Sequence, residues 1–177
     1  MHRRKLLDLI GEYEANHVDE SDLIERFVRF VSRESRCFER DCWQDGHVTG
    51  SAWVVDPGMT SVLLTHHKKL NIWVQLGGHS DGDPDTPAVA CKEAREESGL
   101  EVDFVQPQIF DLDVHLIPER KQDPAHYHYD VRFAFVARGT DYTISEESKD
   151  LAWVPITDLL EYSSEESLLR MQRKWLR

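Results

Sequence analysis

The chain has 177 residues, with 21 Lys and Arg against 33 Asp and Glu and a formal net charge of -12 at pH 7. That balance argues against a polyanion-binding groove, so a nucleic-acid polymer is not the expected partner, and phosphates need a cation as intermediary. Hydrophobic residues at 40% and charged residues at 31% are ordinary for a folded protein, and the length suits one compact body with a real core.

Three cysteines, Cys37, Cys42 and Cys91, are an odd number without metal-type spacing, which reads as reduced thiols in a cytoplasmic protein. The first apolar run is interrupted by Asp8, too early for a signal peptide or a membrane span.

In chain order, residues 1–36 read as two helices, one with Leu6, Ile10 and Tyr13 on a stripe and one with Leu23, Phe27, Phe30 and Val31. They form an expected N-terminal extension packed on a domain over 37–177. Asp22 with Glu25 resembles a capping box. The runs HVTGSAWVV and SVLLTHH, separated by DPGMT, predict a hairpin turning at Pro57 and Gly58. NIWVQL predicts a short strand that delivers the chain to Gly77 and Gly78, and Thr86 to Ser98 a helix. Thr86 suits its cap, Pro87 its first turn and Gly99 the left-handed residue that closes it. QIFDLDVHLI and AHYHYDVRFAFVA alternate with period two across the polar connection PERKQDPA, LAWVPI reads as a last strand, and Ser163 with Glu166 opens a C-terminal amphipathic helix. Strands and helices thus mix within one α/β unit.

The central helix concentrates charge. At about 100° per residue, Glu93, Glu96 and Glu97 share one face about 100° wide. Between Gly78 and Asp103 eight acids stand against Lys92 and Arg95, a net of -6. Such a face is often just solvated, its glutamates paired with Lys92 and Arg95. The loop before it argues for more: Gly77 and Gly78, then Asp81, Gly82 and Asp83, permit close backbone approach to a ligand. Oxygen-only carboxylate clusters suit a hard cation such as Mg²⁺, which keeps positions open for water and phosphate.

From Gly78 to Leu100 the residues resemble the Nudix box, G-x5-E-x7-R-E-U-x-E-E-x-G-U, with U apolar. Gly78, Glu93, Ala94, Glu96, Glu97, Gly99 and Leu100 match, while Pro84 stands where the box has its first Glu and Lys92 where it has Arg. In the family those two brace the loop, so the bracing is in doubt and Asp83 or Asp85 is the candidate substitute. The resemblance covers 23 of 177 residues. It implies a Nudix fold, a mixed sheet between helices, and hydrolysis of a diphosphate bond in a nucleoside diphosphate linked to another group. It further implies Mg²⁺ or Mn²⁺ held by Glu93, Glu96 and Glu97, the small-molecule substrate contacted near Gly77, Gly78 and His79, and a family tendency to homodimers. The group that activates water is one of those glutamates or a later one, Glu146 or Glu147.

His126, His128 and Asp130 share one face of a strand, and Asp111, Asp113 and His115 one face of the strand before it. Alternation alone predicts an outward polar face with Tyr127, Tyr129 and Val131 turned to the core. The alternative is a second metal site from His79, His126 and His128, an arrangement similar to isopentenyl diphosphate isomerase, a Nudix-fold enzyme. That enzyme places a catalytic cysteine beside its glycine-loop histidine, where this chain has Gly77, Gly78 and Ser80. A catalytically silent nucleotide-binding domain is the remaining alternative. Of the tryptophans and of His47, His66 and His67, none is assigned a ligand contact.

Overall fold

β1 (His47–Val55) is buried along its whole length, and the molecule is arranged around it. The computed structural model describes residues 2–68, 71–120, 123–146 and 148–177. Ahead of β1 lie α1 (Arg4–Glu14) and α2 (Ser21–Arg33). After it come β2 (Ser61–His67), β3 (Trp73–Val74), β4 (Leu76–His79) and α3 (Thr86–Ser98). β5 (Val102–Phe104), β6 (Asp111–Ile117), β7 (His126–Ala137) and β8 (Ser148–Pro155) follow, then α4 (Leu159–Tyr162) and α5 (Glu166–Trp175).

β1 runs parallel to β7, with His47 opposite His128 and Val55 opposite Val136. On its other edge it pairs with β4 over Thr49–Ala52 and meets β2 only at Val55 opposite Val62. The expected hairpin therefore closes only at its turn, where the Asp56 carboxylate accepts from the Gly58, Thr60 and Ser61 amides. Beyond it β2 leaves β1 and pairs with β8 over Ser61–His67, freeing the β1 edge for the strand that carries the glycine pair. β7 is covered on its far edge by β6 and β5. The strand β5 was not expected from the sequence, and the strand predicted from Gln108 begins only at Asp111.

Alternation sends the two faces of β1 into different cores. Val48, Ala52 and Val54 pack with Leu6, Ile10, Phe27 and Phe30 of α1 and α2 and with Ala90 and Ala94 of α3. Trp53 and Val55 pack on the opposite face with Leu159 of α4 and Leu168 and Met171 of α5. A mixed sheet held between helices is the architecture anticipated.

A buried charge network joins the ends of the chain to the sheet. Asp111, fully buried, accepts from Arg132 at 2.9 Å, from Arg170 at 2.7 Å and from Lys174 at 2.7 Å. Lys174 also pairs with Glu20 at 2.5 Å and donates to the Tyr13 hydroxyl. Burial alone would raise the Asp111 carboxyl, but Arg170, Arg132 and Lys174 overcome it and hold the group below its usual range.

Three cap expectations are corrected. Asp85, not Thr86, is the N-cap of α3, its carboxylate accepting from Ala88 N, while Thr86 is already helical and its hydroxyl is buried. Asp22 lies inside the first turn of α2 and makes no cap, because the helix begins one residue earlier at Ser21. Ser163 accepts from the Glu165 amide rather than from a helical amide of α5, so no capping box forms there either. At the other end of α3, Gly99 adopts φ +70°, the left-handed closure expected.

Candidate active site

The helix α3 reaches the sheet at Gly50. A Cβ there would lie 2.9 Å from Val89 Cγ1 and 3.1 Å from Ala90 N, so only glycine lets the helix settle directly on β1. That contact brings the glutamate face of α3 against β4. Gly77 N donates to Glu97 Oε1 at 2.9 Å. A Cβ on Gly78 would stand 2.4 Å from Glu93 Oε2, and one on Gly77 2.8 Å from Ser51 Cα. The glycine pair is thus a place where two carboxylates are laid against strand backbone.

Glu93 has 17% of its side chain exposed and Glu96 has 59%. Lys92 pairs with Glu96 at 3.3 Å and Glu93 at 3.5 Å, contacts that raise its pKa, the Glu96 hydrogen bond foremost. It therefore braces the candidate ligands of its own helix instead of the loop. The loop is secured by partners that the box pattern does not contain: Lys5 pairs with Asp85 at 2.6 Å, Arg40 with Asp81 at 2.9 Å, and Asp83 accepts from Asp85 N. Asp83 and Asp85 thus hold the loop, and neither lines the cleft.

A cleft of about 960 Å³ opens over this region. Gly77, Gly78 and His79 line it together with Glu93, Glu96 and Glu97, so every residue expected at the diphosphate centre is there. His126 and His128 line it too, with Trp43 and Arg40 at one side. Glu146 is exposed and lies outside it, and Glu147, the other suggested water-activating group, falls outside the described residues.

The alternating strand face is not turned to solvent. His126, Asp130 and Asp111 are buried and His128 is half-buried, whereas Tyr127, expected inside, is 38% exposed. The reason is long-range pairing: β6 places Asp113 opposite Asp130 and His115 opposite His128, and parallel β1 adds His47, Thr49 and Ser51 on the same side. Where α4 and α5 cover this face it is apolar, and where they stop it becomes the cleft. Asp130 is fixed by Thr49 at 2.8 Å, Ser51 at 2.7 Å and Arg132 at 2.7 Å.

His47 carries no ligand contact assignable from the sequence alone. It is fully buried, its ring centroid 4.7 Å from His128, 4.9 Å from His126 and 5.0 Å from His79. Burial, then His79, His126 and Arg40, push its pKa down to about 3, opposed weakly by the Cys42 backbone. His128 is lowered as well, by burial first and then by His47, His79, His115 and His126. Both rings are neutral at physiological pH. No cysteine lines the cleft among the described residues, so the group an isomerase of the resembled kind places there is not present.

Strand order, the helix between β4 and β5 and the cleft at its carboxylate face define a Nudix fold, and solved structures agree. No protein-family model matches the sequence, and no curated protein sequence matches it. A Clostridium perfringens hydrolase of the NUDIX family superposes with a TM-score of 0.54 at 24% identity, covering 73% of this chain and 95% of the other. A Caenorhabditis elegans Ap4A hydrolase gives 0.55 at 13% identity over 73% and 94% of the two chains. The NUDIX domain of Shewanella oneidensis NrtR, complexed with ADP ribose, gives 0.53 at 16% identity over 84% and 97%.

Proposed function

We propose that the protein is a divalent-cation-dependent hydrolase of a diphosphate bond in a nucleoside diphosphate linked to another group. The observation that carries this reading is the seating of Glu93 against Gly78 and of Glu97 on the Gly77 amide, with Glu96 beside them, at the wall of one cleft. The donor set is hard oxygen at the wall of an open groove, which fits Mg²⁺ or Mn²⁺. When bound, the ion supplies charge neutralisation for phosphate oxygens and a more acidic water.

The chain's own contributions follow from its geometry. The Gly77 amide fixes the Glu97 carboxylate, and Lys92 fixes Glu96 and Glu93, so the three acids are oriented before any ion arrives. The two glycines leave the β4 backbone bare where a diphosphate approaches. Trp43 and Arg40 line the same cleft and are placed to receive the rest of the substrate. A glutamate of the cluster orients or deprotonates the attacking water.

A panel of nucleoside diphosphate derivatives with Mg²⁺ or Mn²⁺ tests the reading on the wild type and on Glu96→Gln and Glu97→Gln. Turnover in the wild type and loss of at least about 100-fold in either variant, with the fold retained, is expected. Nucleotide binding without turnover would favour the silent domain instead, and rates unchanged in both variants would remove these glutamates from the chemistry.

A further inference from the structure

We propose that His47, His126 and His128 form a second metal centre, distinct from the glutamate cluster and selective for an imidazole-preferring transition ion, Zn²⁺ foremost. The site begins with strand register. His47 opens β1 opposite His128 of parallel β7, and His126 lies two residues earlier on the same face, so the three rings converge without any loop.

The distances suit one ion. His126 Nε2 and His128 Nε2 are 3.2 Å apart. Two nitrogens bound at about 2.0–2.1 Å to a tetrahedral Zn²⁺ lie about 3.4 Å from each other. Ligand atoms from all three rings fall within 4.8 Å of one another. His79, expected from the sequence to be a ligand beside His126 and His128, borders the cluster with its ring centroid 5.0 Å from His47 and 5.1 Å from His128, and His47 takes its place in the converging set.

Hydrogen bonding gives an independent reason. His126 Nδ1 is 2.7 Å from the Pro124 carbonyl, which places a proton on Nδ1 and turns Nε2, the nitrogen a metal would take, toward His128. A ligating histidine held by a backbone carbonyl through its other nitrogen is the usual arrangement at metal sites. His47 is fully buried, and beyond a weak interaction with the Cys42 backbone neither of its ring nitrogens meets hydrogen-bond geometry with any described partner. A buried polar group left in that state is destabilising, and a bound ion removes that penalty. A merely packed aromatic cluster leaves that cost unexplained.

Donor chemistry separates this centre from its neighbour. Three neutral imidazoles favour Zn²⁺, Co²⁺, Ni²⁺ or Cu²⁺ over Mg²⁺. The nearest carboxylate on the same strand, Asp130, is taken up by Thr49, Ser51 and Arg132. A single step along β4 parts the two centres, since Gly78 abuts Glu93 while His79 abuts His47 and His128.

The test uses the full chain without an affinity tag, stripped with a chelator and titrated with Zn²⁺ or with Co²⁺ as a spectroscopic reporter in excess Mg²⁺. One equivalent bound per chain, with the visible absorption of tetrahedral Co²⁺, is expected. His128→Gln, at a half-buried position, and His47→Gln should each weaken binding by at least about 100-fold in folded protein, while Glu93→Gln leaves it within about threefold. Absence of Zn²⁺ and Co²⁺ binding in the wild type, full binding in folded His128→Gln, or loss in Glu93→Gln would each overturn the proposal. None of these readouts uses turnover, so the result is independent of the hydrolase reading.

Discussion

Gly78→Ala isolates what the glycine pair does. The new Cβ would sit 2.4 Å from Glu93 Oε2 and 2.5 Å from its carboxylate carbon, where ordinary contact begins near 3.4 Å, so the carboxylate must retreat by about 1 Å. The atoms that yield are the far end of a flexible side chain, and the fold should lose no more than about 1 kcal/mol. A group displaced by about 1 Å from a working geometry costs on the order of 100-fold in rate, or about 2.7 kcal/mol of barrier. Turnover of the best substrate from the nucleotide panel at saturating Mg²⁺, measured beside a urea denaturation curve, reads both quantities. The neighbouring Gly77→Ala is the control, because its Cβ meets Ser51 Cα at 2.8 Å, and backbone cannot step aside. It should lose about 1–3 kcal/mol of stability. A Gly78→Ala protein with wild-type fold and turnover within about threefold of normal would show that the Glu93 position does not govern the reaction.

Other outcomes follow from the same contacts. Asp111→Ala leaves Arg132, Arg170 and Lys174 short of a buried partner and should cost about 3–5 kcal/mol in denaturant unfolding; a loss under about 1 kcal/mol would show the network to be ornamental. Asp111 and Asp113 have depressed pKa values in the folded chain despite burial, so the unfolded chain binds more protons as acid is added. Their stabilisation is complete above the ordinary aspartate pKa of about 4 and is lost as pH falls below it, and the Asp111→Ala protein should show a shallower acid limb. Gly50→Ala should lower both stability and turnover, since Val89, Ala90 and Thr86 of α3 all lie within 3.2 Å of the new methyl and the helix must lift from β1; thermal melting and turnover on the same preparation check it.

The central helix was legible because its signals are local: Pro87 in the first turn, Gly99 past the end and three glutamates on one face all lie within one segment. Caps were less legible, because Asp85 and Thr86 are both good caps and only backbone geometry chooses between them. The histidine face was misread for a different reason. Period two says which residues share a side of a strand but not what covers that side. The burial of Asp130 comes from parallel pairing with β1, contributed by residues some 80 positions earlier in the chain, and the His126 ring lies against Trp43 and His47 from the same early region. His47 carried one usable signal, its place at the start of a strand with no polar residue at the alternate positions after Ser51 until Asp56 ends the run. The partners of the loop, Lys5 and Arg40, lie outside the motif altogether, so no pattern confined to the box could name them.

The carboxylate of Asp111 binds together helices that lie about 150 residues apart along the chain. Lys174 reaches it from the final helix and meets Glu20 and Tyr13 from the opening ones, while Arg132 continues the chain of contacts to Asp130 beneath the cleft. Trimming either terminus therefore strands charge in the interior instead of removing an ornament. Shortened versions ending before Arg170 should go to inclusion bodies even though the glutamate helix and all the cleft histidines would still be encoded.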